Sequence, residues 1–397
     1  MENEKVLLTD IVWFQEGPGV RNTQYTDSGV KLLNVANLVD GKVDLSTSSR
    51  YISEEEAYGK YKHFLVDPGD FIIASSGIKV DYFDKKMGFV DETQLPLCMN
   101  TSTIRFKALD SSVLNIRYFM YYLKSFAFKE QLARQITGSA QLNFGPSHLK
   151  KMTMPLCPIR DQGKICEQLD TIYHVIETRQ QQLAELDNLI KARFVEIFGI
   201  YPANPKGWET GTIRDVVSDV RYGSSRPAVD GGKYPYLRMN NITYGGELDL
   251  SDTKRIDIPD NELDKCTVRR GDVLFNRTNS KELVGKTCVY NRDDMMVLAG
   301  FVIRVRVSER ILPEFLSEFL NTEFSKQMLL AMCKTAIGQA NINAQEMQNI
   351  GLYLPPIELQ RKFVQFKEQT DKSKVAVQKA LDKAQLLLDS LMQKYFG

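Results

Sequence analysis

The 397-residue sequence repeats itself at about half its length. Leu8-Thr9-Asp10-Ile11-Val12 returns as Ile213-Arg214-Asp215-Val216-Val217, and Val43-Asp44-Leu45-Ser46 returns as Leu248-Asp249-Leu250-Ser251. Val66-Asp67-Pro68-Gly69-Asp70 matches Val268-Arg269-Arg270-Gly271-Asp272, and Ile104-Arg105-Phe106 matches Ile303-Arg304-Val305. Gly138-Ser139-Ala140-Gln141-Leu142-Asn143 matches Gly338-Gln339-Ala340-Asn341-Ile342-Asn343. Last, Pro158-Ile159-Arg160-Asp161-Gln162 matches Pro356-Ile357-Glu358-Leu359-Gln360. The order never breaks, while the offset drifts from 205 to 198 as loop insertions make it. A tandem duplication constrains the fold more than any single motif, because both copies must build the same unit.

Each copy opens with about 150 residues of short β-prone runs bounded by turn residues, which is the strand signature. Phe71-Ile72-Ile73-Ala74 follows Pro68-Gly69-Asp70, and Val273-Leu274-Phe275 follows Arg270-Gly271-Asp272. Lys286 to Tyr290 and Val302 to Val307 read the same way. Helical stretches are predicted around 115–135 and 313–333, with Pro313 suited to a first turn. The fold class is therefore mixed α/β (α+β), not a helix bundle.

Each copy closes with a long helix. In the first, Ile165, Leu169, Ile172, Ile176, Arg179, Leu183, Leu186 and Ile190 alternate steps of 4 and 3, the period of a left-handed coiled-coil seam. In the second the seam reads Phe366, Thr370, Ser373, Val377, Ala380, Ala384, Leu387 and Leu391. Pro158 and Pro355-Pro356 mark the starts, and Gly199 and Gly397 the ends. At 1.5 Å per residue, about 40 residues make a rod of roughly 60 Å. That outruns a globule of about 150 residues, whose radius of gyration is about 15 Å. The rods are expected to pair with each other and act as a ruler. The chain divides into a globule (1–157), a helix (158–199), a linker with a second globule (200–354) and a final helix (355–397). Pro202, Pro205 and Gly207 mark the linker, and Trp208 reads as a packing anchor.

Sites of chemistry are absent from this pattern. There is no GxxxxGK[ST], GxGxxG, GxSxG or HExxH. Six scattered cysteines form no CxxC pair, and with His63, His148 and His174 they give no metal-ligand spacing. They read as reduced, mostly buried thiols of a cytoplasmic protein. Asp293-Asp294 and Glu54-Glu55-Glu56 sit in polar runs and read as solvated faces. No apolar run nears the ~20 residues a membrane helix needs. The polar start, Met1-Glu2-Asn3-Glu4-Lys5, lacks the pattern of a secretory signal. The expectation is a non-catalytic protein, neither secreted nor membrane-spanning.

Phe14-Gln15-Glu16-Gly17-Pro18-Gly19-Val20, Pro205-Lys206-Gly207-Trp208 and the Gly-x-Ala-x-[Leu/Ile]-Asn elements at Gly138 and Gly338 complete the pattern. Together with two globules that each lead into a Pro-x-x-x-Gln helix, the whole chain resembles the specificity subunits of type I restriction–modification systems. That resemblance implies two target recognition domains, each reading one half of a bipartite, asymmetric double-stranded DNA sequence. It implies an antiparallel coiled coil of two conserved spacer helices, related by a pseudo-two-fold axis. The implied partners are two adenine methyltransferase (modification) subunits docked along the helices, and restriction/translocase subunits in the full complex. S-adenosylmethionine, ATP and magnesium would then belong to partner subunits, and this chain would carry no cofactor. Physical reasoning runs the same way: diverged halves read unlike half-sites, where a homodimer reads a palindrome.

Charge sharpens the choice of DNA-reading residues. The chain holds 51 Lys+Arg against 50 Asp+Glu, and neither globule is net basic, so a DNA-facing surface must be a locally sorted patch. The second globule has 12 Arg among 19 basic residues and the first has 5 among 18. Arg reads guanine in bidentate fashion, and Asn or Gln reads adenine. The candidates in the second globule are Arg221, Tyr222, Ser224, Ser225, Arg226, Arg238, Asn240, Asn241, Asn276, Arg277, Thr278, Asn279, Ser280, Lys281, Gln339, Asn341 and Asn343. In the first they are Arg21, Asn22, Asn34, Asn37, Ser75, Ser76, Lys79, Gln141 and Asn143. Two other functions suit a non-catalytic chain: a nucleic-acid binder working alone, and a two-domain scaffold for proteins. The first should be basic enough to hold phosphates unaided; the second would make the Arg/Asn loops incidental.

Overall fold

The computed structural model describes residues 4–135, 142–336 and 339–397. The chain forms two compact units, Met1–Gln180 with Lys379–Gly397, and Gln181–Gln378. Each long helix contributes one half to each unit, so the units do not follow the four consecutive segments expected from the sequence.

The first unit contains β1 (Val12–Glu16), β2 (Phe71–Ala74), β3 (Ser76–Ile78), β4 (Met87–Phe89), β5 (Thr103–Ala108) and β6 (Leu142–Asn143). Four of them make an antiparallel sheet of order β1-β5-β2-β4, and β3 pairs with β6. A smaller sheet sets Val30–Leu33 parallel to Leu97–Met99 and antiparallel to Tyr51–Ile52. Helices α1 (Ile116–Lys124) and α2 (Phe126–Gln135) cover the main sheet, with Phe119 packed on Phe71 and Phe106. The sequence pattern suggested one helical stretch here. Extended backbone at Ser125 breaks it, and the Ser125 hydroxyl accepts from the Phe128 N–H of the next helix. Then comes α3 (Ile159–Phe198).

The second unit repeats this plan. It contains β7 (Val217–Tyr222), β8 (Val273–Asn276), β9 (Thr278–Asn279), β10 (Thr287–Val289), β11 (Val302–Val307), β12 (Lys334–Ala336) and β13 (Gln339–Asn341). Its main sheet has order β7-β11-β8-β10, again antiparallel, and β9 pairs with β13. Tyr234–Leu237 runs parallel to Met296–Leu298, as its counterpart does. Helices α4 (Pro313–Asn321) and α5 (Glu323–Met332) are divided at Thr322, which caps the second through the Ser325 N–H. The last helix is α6 (Ile357–Phe396).

The duplicated motifs have duplicated causes. In Pro68-Gly69-Asp70 and Arg270-Gly271-Asp272 the buried aspartate accepts the backbone N–H three residues earlier, at 2.8 and 2.9 Å, closing the turn into β2 and β8. The glutamine of Pro-x-x-x-Gln is wholly buried in both copies. Gln162 accepts from the Asn115 N–H and donates to the Val113 and Cys157 carbonyls. Gln360 likewise accepts from the Leu312 N–H and donates to the Arg310 and Pro355 carbonyls. Each stitches a long helix to the loop that starts α1 or α4.

One sequence match needs correction. Asn143 faces Ser76 across its ladder as Asn341 faces Thr278. The next residues, Phe144 and Ile342, donate to the Ser75 and Arg277 carbonyls. Asn143 therefore corresponds to Asn341, not Asn343, and the Gly-x-Ala match was two residues out of register. Gly138 to Gln141 and Gly338 lie outside the described residues.

The long helices pair antiparallel as a coiled coil. In the first unit the early half of α3 packs against the late half of α6: Ile165, Leu169 and Ile176 share a core with Ala384, Leu388 and Phe396. In the second, Ile190, Phe194 and Phe198 meet Phe363 from the early half of α6. Ile172, Leu183 and Leu186 are half-buried along the same stripe of α3. On α6 the stripe runs through Thr370, Val377, Ala384 and Leu391, but its alternate positions are Lys367, Lys374, Leu381 and Leu388. Leu387 is 47 % exposed while Leu388 is 4 % exposed, so the seam passes one residue later than expected there. Ser373 is likewise exposed. Phe366 is half-buried, its ring 5.7 Å from the Arg193 guanidinium. Trp208 donates its indole N–H to the Phe198 carbonyl and so fastens the linker to the end of α3. No helix among the described residues is long and apolar enough to cross a membrane.

Candidate nucleic-acid interface

In the second unit β7 and β8 end where β11 begins, because β11 runs antiparallel to both. Three segments therefore emerge together: Gly223 to Arg226, Asn276 to Lys281, and Ala299 to Phe301. Gly300 donates to the Ser224 carbonyl at 2.7 Å, Arg277 to the Phe301 carbonyl at 3.0 Å, and Ile342 to the Arg277 carbonyl at 2.9 Å. The first unit builds the same frame from Gly17, Ser75 and Ser102: Gly17 donates to the Thr103 carbonyl, Ser75 to Ser102, and Phe144 to Ser75. Both loops begin with a glycine the packing demands. A Cβ at Gly17 would overlap the Asn100 carbonyl, and one at Gly223 those of Leu298 and Ala299. In the sequence, the one sign of this role is the shared Gly after β1 and β7.

At the centre of the second surface stands Arg277. Its guanidinium lies 4.8 Å from the Tyr222 ring centroid and donates to the Asn341 side-chain oxygen at 3.1 Å. Tyr222 is itself fixed, its hydroxyl accepting the Ala344 N–H at 2.9 Å. Asn341 is held from below by Thr278. Ser225, Asn240 and Lys281 are exposed, and Asn279 is half-buried with its side-chain oxygen accepting the Ser280 N–H.

Most of the other arginines are engaged. Arg221 pairs with Asp219 at 2.8 Å, Arg226 with Glu262 at 2.7 Å and Arg238 with Asp252 at 2.8 Å. Arg270, Arg292, Arg304, Arg306 and Arg310 also have carboxylate partners. Burial pushes the Asp219 carboxyl up, but hydrogen bonds from Arg221 and Arg304 outweigh it and hold the group below its ordinary value. Most of the arginine surplus thus balances local acids. Arg277 has no carboxylate partner among the described residues.

Several candidates turn out to be frame, not surface. Asn37 and Asn241 are buried and tie their loops to the carbonyls of Asp44 and Asp249. Asn34 is buried and accepts from Asn100. Asn276 is buried and accepts the Thr278 N–H. Ser75, Ser224 and Thr278 are buried as well. Asn343 caps the short helix Ala344–Gln348 through the Glu346 N–H. Side chains of this hydrogen-bonding type serve turns as well as bases. In the first unit Arg21, Asn22, Lys79 and Asn143 are exposed, and the Ser76 hydroxyl donates to Ser102 at 2.6 Å. Gln141 lies outside the described residues; of Gln339 only the backbone is described.

The six cysteines are free, five of them buried, and burial pushes the Cys98 and Cys288 thiols up to about 12. Among the described residues no group of three or more His, Cys, Asp or Glu is placed to hold a metal ion.

Comparison with known proteins bears on this surface. The family profile described as "Type I restriction modification DNA specificity domain" matches residues 2–188 and again 205–386. The chain is 22% identical over 391 residues to the type I restriction enzyme EcoKI specificity subunit of Escherichia coli (strain K12), covering 93% of this chain and 82% of that protein. It is equally similar, over the same shares, to the StySPI specificity subunit of Salmonella potsdam. The fold resembles the crystal structure of a type I restriction–modification system S subunit from M. genitalium, with a TM-score of 0.56 at 14% identity over 99% of this chain and 96% of that one. A second solved chain, from work on the assembly and conformational transition of the type I R-M system, gives a TM-score of 0.58 at 17% identity over 99% and 97%.

Proposed function

The chain belongs to the type I restriction modification DNA specificity family, and from that premise we propose that its two globules read the two unlike halves of a split, asymmetric DNA target. It is the recognition component and leaves chemistry to other subunits. One observation carries this reading: the two sheets end in the same backbone frame, and that frame holds different side chains. Arg277 stands where the first unit has Ser75, Tyr222 where it has Glu16, and Phe301 where it has Ser102. A shared scaffold with exchanged tips suits two readers of different sequences. Arg277 suits guanine, since stacking on Tyr222 and the bond to Asn341 fix its plane before DNA arrives.

The paired helices set the spacer and dock two adenine methyltransferase subunits, with restriction/translocase subunits completing the complex. S-adenosylmethionine, ATP and magnesium act on those partners. Near-zero net charge supports this division, because a protein holding DNA by itself needs more phosphate contacts than this composition offers. Alone, the chain should bind duplex DNA weakly.

Selection from random-sequence duplexes tests the proposal, using the full chain with and without its methyltransferase subunits. The expected product is a motif of two unlike halves around a fixed gap. Arg277→Ala should then relax one half only, costing roughly 1–3 kcal/mol at the base pair it reads. A single uninterrupted motif, or a change in both halves, would overturn the assignment.

A further inference from the structure

We propose that Phe301 recognises the 5-methyl group of a thymine in the half-site bound by the second globule; this deepens the reading above and rests on it. Phe301 is 51 % exposed, although Phe275 and Phe315 of the same unit are wholly buried. Its backbone is not free to withdraw the ring. The Phe301 carbonyl accepts from Arg277, and the flanking Gly300 and Val302 N–H groups are held by the Ser224 and Ala299 carbonyls at 2.7 and 2.9 Å. The loop thus holds a phenyl group in solvent, with its backbone bonded to that of Arg277. Apolar area left in water beside hydrogen-bonding groups is available to an apolar group of a ligand.

The chemistry of the neighbour narrows the ligand. Arg277 offers charged N–H donors, which match the acceptors of guanine. A phenyl ring offers only apolar contact, and on the major-groove edges of the four base pairs the apolar group is the thymine methyl. The corresponding position of the first unit is Ser102, with φ of +66° and a hydroxyl bonded to Ser76. The methyl contact should therefore belong to one half-site and have no equivalent in the other.

The test is selection by the full chain with its methyltransferase subunits, comparing the unaltered protein with Phe301→Ser, which installs the side chain of the other copy. The unaltered protein should favour thymine at one position of one half, and the variant should lose that preference alone. Uracil in place of that thymine removes only the methyl. It should weaken binding roughly three- to tenfold for the unaltered protein, and leave the variant indifferent. Identical motifs for both proteins, or a preference lost at a base other than thymine, would overturn the assignment of Phe301 while leaving the bipartite reading intact. Absence of any motif from both would instead overturn that reading, and this inference with it. Unchanged thermal unfolding of the variant shows that the comparison is between folded proteins.

Discussion

Gln162 and Gln360 show what a single buried amide does in a repeated fold. Each spans a backbone N–H and two backbone carbonyls that would otherwise face an apolar interior. Truncating either leaves those groups without partners, and an unsatisfied buried polar group costs about 1–3 kcal/mol. Gln360→Ala should lower the stability of the chain by that amount in urea unfolding, and Gln162→Ala by a similar amount. A loss below ~0.5 kcal/mol would mean that water replaces the amide. These two glutamines were legible in the sequence because helix starts repeat with Pro at a fixed spacing. The residues proposed to read DNA were not. Asn37, Asn241 and Asn343 carry the same amide as Asn341, and only the fold separates those that close turns from the one that braces Arg277. Phe301 gave no signal either, because a phenylalanine at the head of an alternating strand reads as core.

Along α6 the helix itself was legible and its facing side was not. Leu386, Leu387 and Leu388 are consecutive, so apolar content cannot choose among three adjacent phases of the heptad. Packing chooses Leu388, and Leu386 and Leu387 face outward. The polar positions misled in the same way. Lys367 and Lys374 lie on the buried stripe, where a heptad pattern expects apolar side chains. They are tolerated because Lys367 meets Glu318 at 3.2 Å, and Lys374 meets Asp187 and Glu247 at 2.7 and 2.6 Å. Burial alone would push the Lys374 amine down, but those two carboxylates outweigh it and hold it above its ordinary value. Leu388→Ala should cost about 2–5 kcal/mol, the range for deleting a well-packed core leucine. Leu387→Ala should stay within ~0.5 kcal/mol, as exposed positions do. Equal losses in thermal or urea unfolding would place the seam elsewhere.

At the scale of the whole molecule, the duplication is the most legible feature, and it sets two globules and two long helices. What the sequence left open was how the copies share their parts. Each compact unit closes around the start of one long helix and the end of the other, a partition that no linear set of boundaries expresses. The proposed ruler follows from that sharing, since the helices are the continuous elements of both units. A paired deletion of seven residues, 178–184 in α3 and 375–381 in α6, keeps both heptad patterns in phase. It removes about 10 Å of helix at 1.5 Å per residue. Duplex DNA rises about 3.4 Å per base pair, so the gap between the selected half-sites should shrink, by at most about three base pairs. The half-sites themselves should stay the same, because Arg277, Tyr222 and Phe301 are untouched. Selection with the shortened chain reads both quantities at once. An unchanged gap at undiminished affinity would mean that the helices hold the units together without measuring the DNA between them.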